Sequence, residues 1–196
     1  MSTSKAQTPL SKGIPVTLGS LHGTVFGGPY RSYIPGTRRL IGIKMAVEIN
    51  HDHDCAVDTE DFSVPLVKDM QNGLIEAVAA FYDGKDVYVG CMGGIGRTGL
   101  FMGCMAKVMV DYANYTKARK PLPSDPVDYV RSHDMCHAIE TLEQQAYVRG
   151  FDTAPVLLFI DELLKPMVVT VEVPVPAPMP SPFQYAMYML FGVKPK

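Results

Sequence analysis

The stretch "LFMGCMAKVMV", residues 100–110, is apolar almost all the way round a helical projection. A helix of that kind cannot lie on a surface; other elements have to enclose it. Before it stands "DVYVGC" (86–91), a short apolar run of strand character, and the glycine-rich turn "MGGIG" follows that run directly. A strand, a tight turn and a buried helix in immediate succession demand a layered fold, with a sheet packed beside a central helix.

The rest of the chain fits that demand. "GIKMAVEIN" (42–50) reads as a second buried strand, and "TVFGGPYRSYIPG" as turns bounding a short edge strand. "HDHDCAVDTED" (51–61) is polar enough to be a loop, and "FSVPLV" (62–67) reads as another short strand that Pro65 confines to an edge. The spacing of Leu74, Ile75, Val78, Ala79 and Tyr82 predicts a helix, with Gly84 as its stop. Ser124 or Asp125 caps a helix that opens at Pro126 in "PVDYVRSH", and "AIETLEQQAYVRGF" supplies one more. Strands alternating with helices predict an α/β fold, a central mainly parallel sheet flanked by helices.

Residues 1–19 are expected to be a flexible N-terminal segment, 20–165 one domain, and 166–196 a proline-rich tail. That tail holds seven of the chain's sixteen prolines, a composition for extended chain and for docking a partner. A net charge of −2 gives no electrostatic case for binding nucleic acid or a membrane surface. No apolar run approaches the about 18 residues that span a bilayer, and the first residues have no hydrophobic signal region. Four cysteines, Cys55, Cys91, Cys104 and Cys136, are scattered without CxxC pairing, which argues against a disulfide framework and for a reducing cytoplasm.

The turn after Cys91 is suited to holding an oxyanion. Successive backbone N–H groups in a tight loop converge on one centre, and a helix N-terminus adds partial positive charge. A thiol at the rim of such a cradle has its anion stabilised. Arg97 offers a planar fork for two oxygens of a phosphate, and Thr98 can hydrogen-bond the sulfur. No Lys-Ser/Thr pair follows the glycines, so the turn is not a nucleotide-binding Walker loop.

"CMGGIGRTG" resembles the signature Cys-x5-Arg-Ser/Thr of the cysteine-based protein tyrosine phosphatase superfamily, and its brevity points to the dual-specificity branch. The resemblance extends over roughly residues 20–152 and includes "YVRSHDMCHAIETLEQQAYV" downstream of the loop. It implies that Cys91 attacks phosphorus and becomes a phosphocysteine. Arg97 and the backbone of Met92, Gly93, Gly94, Ile95 and Gly96 would bind the phosphoryl oxygens. Thr98 would assist departure of the sulfur, and Gln144 would position the hydrolytic water. An aspartate would protonate the leaving oxygen; Asp69 is the choice, with Asp61, Asp58 and Asp54 as competitors on the preceding loop. No metal and no cofactor are implied. One departure from the pattern is Gly90, which stands where the family usually has His.

Uncharged side chains at the variable loop positions Met92, Gly93, Ile95 and Gly96 favour a phosphoprotein substrate over a multiply phosphorylated lipid. The alternatives are a pseudophosphatase that binds phosphorylated partners without turnover, and an enzyme acting on RNA 5′ ends or lipid. Elsewhere the ordinary reading prevails: Cys104 is a packing residue, Cys55 and Cys136 are unremarkable thiols, and "HDHDC" is a solvated loop rather than a metal site. "GGPYRSY" (27–33) is either a wall of the substrate groove or a strand edge covering the core.

Overall fold

The structure, a computed structural model, describes residues 13–36, 39–117, 125–133 and 135–165. Residues 1–12, Ser124, most of "TKARK" and the proline-rich tail lie outside the described residues.

Five strands form one sheet: β1 (Gly13–Leu18), β2 (Leu21–Pro29), β3 (Leu40–Ala46), β4 (Cys55–Thr59) and β5 (Asp86–Cys91). Their order is β1-β2-β5-β3-β4. Only the β1–β2 pair is antiparallel; β2, β5, β3 and β4 run parallel. The helices are α1 (Val67–Tyr82), α2 (Gly96–Thr116), α3 (Pro126–Ser132), α4 (Leu142–Gly150) and α5 (Ala154–Leu164). This is the α/β architecture expected from the sequence. Strand β5 sits in the middle of the sheet, and its parallel neighbours open their carboxyl ends on the same edge, where α/β sheets place their ligand sites.

Local chemistry explains most of the elements. β5 is buried along nearly its whole length, as a central parallel strand must be. α2 buries residues on every side, including Leu100, Phe101, Met102, Cys104 and Met105, and so serves as the core's axis. Asp125 caps α3, its carboxylate accepting from the N–H groups of Val127 (2.8 Å) and Asp128 (3.1 Å), with Pro126 in the first turn. Gly84, at φ +69°, ends α1.

Four expectations need correction. Residues 13–18 are not part of a flexible segment: Ile14, Val16 and Leu18 alternate into the core as β1, joined to β2 by the two-residue turn Gly19-Ser20. The "TVFGGP" strand is interior, between β1 and β5, rather than an edge. Within the supposed loop 51–61, Cys55–Thr59 form β4; its exposed Asp58 suits a place on the sheet edge, while Val57 and Thr59 turn inward. Residues 62–67 form no strand; the connection runs through buried Pro65 and becomes α1 at Val67. α5, unforeseen in the sequence reading, buries Val156 and Ile160 and packs on α1. No helix among the described residues is long and apolar enough to cross a membrane.

Candidate active site

β5 ends at Cys91, on the carboxyl edge of the sheet, and α2 begins five residues later at Gly96. The intervening turn folds back on β2. Gly94 has φ +72°, and a Cβ there would lie 2.2 Å from the carbonyl carbon of Gly28 and 2.3 Å from the nitrogen of Pro29. No L side chain can occupy that position without moving backbone. "GGPYRSY" therefore acts as a strut beneath the loop: Gly28 and Pro29 lie in β2, and Tyr30 and Tyr33 are buried. The covering reading of this segment holds for its aromatic residues.

Inside the turn the Cys91 sulfur, 3% exposed as a residue, accepts from the N–H of Gly94 (3.2 Å) and the hydroxyl of Thr98 (3.2 Å). Thr98 in turn accepts from the N–H of Cys91 at 2.9 Å. That bond engages the hydroxyl oxygen and leaves its proton directed at sulfur. Two donors converging on one thiol at the start of α2 stabilise negative charge there. Met92 and Ile95 point outward from the loop and are exposed.

Arg97 lies in the first turn of α2 and is 3% exposed. Its guanidinium is held in a fork by Glu48, with Nη1 donating to Oε2 (2.8 Å) and Nη2 to Oε1 (2.6 Å). Nη1 also donates to the Thr59 carbonyl at 2.9 Å. Nη2 stands 3.2 Å from Oδ1 of Asp61. Nε is buried without a partner among the described residues. A buried cationic N–H left unpaired costs free energy, so this donor is poised for an acceptor entering the cradle. The hydrogen bonds from Arg97 hold the Glu48 carboxyl below its ordinary value. Glu48 was missed in the sequence; it lies near the end of the "GIKMAVEIN" run, two residues past β3, where a lone acid after a buried strand is the only signal.

The candidate acids separate cleanly. Of the four, Asp61 alone makes an ion pair with Arg97; it is 64% exposed, and its Oδ1 accepts from the N–H of Phe62 at 3.2 Å. Asp58 pairs with the buried Lys44 at 2.6 Å. Asp54 accepts from the Tyr33 hydroxyl and from the N–H of Gly42 (2.7 Å), which ties the 51–54 turn to β3. Asp69, favoured on sequence, lies in the first turn of α1, because that helix starts at Val67 and lifts it off the preceding connection. Its carboxylate joins no hydrogen bond or ion pair among the described residues.

Gln144 also departs from expectation. It is wholly buried, and with Thr141 it forms the capping box of α4: Thr141 Oγ1 accepts from the Gln144 N–H (3.0 Å), and Gln144 Oε1 accepts from the Thr141 N–H (3.3 Å). Its Nε2 donates to the Ser63 carbonyl at 3.1 Å. Both ends of the side chain are engaged away from Cys91.

Phe62 adopts φ +57°, a left-handed conformation that costs an aromatic residue about 1–2 kcal/mol, and its side chain is exposed. Gly90 is explained by packing. A Cβ there would lie 2.7 Å from the Gly28 oxygen and 2.8 Å from Tyr30 Cα, so a histidine does not fit between β5 and the strut. Burial pushes the Cys55 thiol up to about 11 and the Cys104 thiol well above its ordinary value, whereas the Cys91 sulfur has two donors aimed at it. Among the described residues no cluster of three or more His, Cys, Asp or Glu side chains could hold a metal ion.

No family model matches the chain, and no curated protein matches it. Solved structures similar to it include two of the same protein. One is Tk-PTP in the active form, at 18% identity and a TM-score of 0.47, covering 70% of this chain and 95% of that one. The other is a glycine-to-alanine mutant form of Tk-PTP, at 17% identity and a TM-score of 0.47, covering 73% and 97%. What the site can do follows from its own geometry.

Proposed function

We propose that the chain hydrolyses phosphomonoesters in two steps through a phosphocysteine on Cys91. The observation that carries this reading is the convergence of the Gly94 N–H and the Thr98 hydroxyl on the Cys91 sulfur beside an Arg97 whose Nε has no partner among the described residues.

In the first step the thiolate attacks phosphorus in line with the ester bond. The S–P bond forms and the P–O bond to the alcohol breaks. Arg97 and the backbone N–H groups of the loop hold the three non-bridging oxygens, where charge is carried in the transition state. Glu48 supports this step by holding the guanidinium flat in its fork, at hydrogen bonds of 2.6 and 2.8 Å. Asp61 takes the role of acid in place of Asp69: it is the carboxyl at the cradle's cation, and it gives its proton to the leaving oxygen. In the second step the Asp61 carboxylate removes a proton from water. That water attacks phosphorus, the S–P bond breaks, and the Thr98 hydroxyl stabilises the departing thiolate.

The outward loop side chains Met92 and Ile95 are apolar, which favours a phosphoprotein side chain over a polyanionic lipid or an RNA 5′ end. The dual-specificity type and a cytoplasmic setting remain part of the proposal. Hydrolysis of p-nitrophenyl phosphate by wild type and by Cys91→Ser tests it. Vanadate-sensitive turnover that disappears in Cys91→Ser is expected. Turnover that survives the substitution would overturn the covalent mechanism, and wild type that binds vanadate without turnover would make the chain a phosphate reader.

A further inference from the structure

The acid-bearing connection, residues 60–66, is fastened at few points. Ser63 donates its N–H back to the Glu60 carbonyl (3.2 Å), Phe62 donates to the Asp61 carboxylate (3.2 Å), and Asp61 meets Arg97 (3.2 Å). The first two bonds are local and travel with the connection. Among the described residues one side chain from elsewhere grips its backbone: Gln144, whose Nε2 donates to the Ser63 carbonyl at 3.1 Å across 81 residues of sequence. The grip is rigid, because Gln144 is wholly buried and its own Oε1 is locked to the Thr141 N–H in the α4 cap. Phe62 stands between the gripped carbonyl and Asp61 in a left-handed conformation. Such a conformation persists only where surrounding contacts over-determine it.

We propose that Gln144 is a positioning residue for Asp61: by holding the Ser63 carbonyl it fixes the connection, and so aims the carboxyl at the leaving oxygen. This rests on the phosphatase reading above. Gln144 then affects proton transfer to the alcohol and leaves phosphoryl binding and sulfur attack to the loop. The dependence is on leaving group, since an alcohol that departs readily as its anion needs no proton in the first step, and a poor one does.

The test compares 2,4-dinitrophenyl phosphate with phenyl phosphate for wild type, Gln144→Met, Asp61→Asn, the double variant and Thr141→Ala. Gln144→Met is expected to stay within about twofold of wild type on the dinitrophenyl ester. On phenyl phosphate it should lose about tenfold in kcat with KM unchanged, a fraction of the full effect of a positioned acid. Added to Asp61→Asn it should cost nothing further on phenyl phosphate, because the group it aims is already gone. Thr141→Ala, which removes the cap and keeps the amide facing Ser63, should lower Tm and leave the ratio of the two substrates unchanged. Equal losses on both esters, no loss on either, or an additive loss in the Asp61→Asn background would overturn the proposal. If Gln144→Met fails to fold, Gln144→Asn withdraws the amide by one methylene, and the same ratio decides. Absence of Cys91-dependent turnover in wild type would sink the phosphatase reading and this inference with it; failure with an active wild type is failure of the inference alone.

Discussion

The turn after β5, residues 91–98, and the connection 60–66 that carries Asp61 meet at Arg97, yet they are held in opposite ways. Residues 91–98 are fixed by their immediate neighbours: a central strand delivers Cys91, a glycine at φ +72° turns the chain, and Thr98 bonds both the N–H and the sulfur of Cys91. Residues 60–66 have two local bonds of their own, among the described residues, and are otherwise held from outside, by Arg97 and by Gln144. The first region is built into the backbone and resists change; the second is a chain of side-chain contacts that single substitutions can loosen. A division of this kind suits a reaction whose anion site stays constant while the proton donor must respond to the leaving group.

The comparison breaks first at Gly94. Gly94→Ala places a methyl against the Gly28–Pro29 backbone at a positive φ, with an expected cost of about 2–4 kcal/mol from strain and overpacking together. Activity on every ester and vanadate binding should fall together by more than about a hundredfold, with a lower Tm. A variant that binds vanadate normally would show that the strut does not shape the loop. By contrast, Asp61→Asn should keep vanadate binding and lose about 10²–10³-fold on phenyl phosphate, with the basic limb of its pH profile gone. Asp69→Asn, on α1, should leave both unchanged; a large loss there would return the acid to that helix.

How much of this was legible in sequence follows the same division. The strand, the turn and the buried helix around Cys91 are consecutive, and glycine spacing with an all-apolar helix left little choice of fold there. Cys91, Arg97 and Thr98 come together as expected because eight residues of chain suffice to bring them together. The sequence favoured Asp69 over Asp61, the residue proposed here as the acid, because the two differ only in what lies between them. Read as a strand, residues 62–67 would have carried Asp69 into the site; as a connection entering α1 at Val67, they leave Asp61 at the site and raise Asp69 onto the helix. Glu48 meets Arg97 across 49 residues, and no local pattern announces such a pair. β4 escaped notice because five residues set between polar runs on a sheet edge look like the loop they adjoin, and the burial and cap engagement of Gln144 are invisible before folding.

Glu48→Gln probes the joint between the two regions. The carboxyl's ordinary value of 4.5 is lowered in the fold by the Arg97 hydrogen bonds. Its stabilisation is therefore complete above 4.5 and fades as pH falls through the lower folded value. With Glu48 40% exposed, the contribution at neutral pH is discounted to about 1 kcal/mol. The Tm gap between wild type and Glu48→Gln should be open at pH 7 and narrow towards pH 3. A gap independent of pH would mean that packing, and not the ion pair, holds Arg97. Activity should drop about tenfold on both good and poor leaving groups, since the fork serves the anion site.

The smallest effect sharpens the contrast most. Phe62→Gly removes an exposed aromatic from a left-handed position, relieving about 1–2 kcal/mol of backbone strain and returning about 0.5–1 kcal/mol as chain entropy. The net is a rise in stability of a few tenths of a kcal/mol to about 1 kcal/mol, read as a slightly higher Tm. In the phosphate loop a relaxed backbone would be expected to disorder the anion site. In the connection the anion site should remain intact, and turnover of 2,4-dinitrophenyl phosphate with it. What should suffer is phenyl phosphate, by a few-fold, because glycine frees the link between the Ser63 carbonyl held by Gln144 and the carboxyl of Asp61. Higher stability with a selective loss on the poor leaving group would identify the strain at Phe62 as part of the aiming of the acid; equal activity on both esters would make it a passive by-product of the turn.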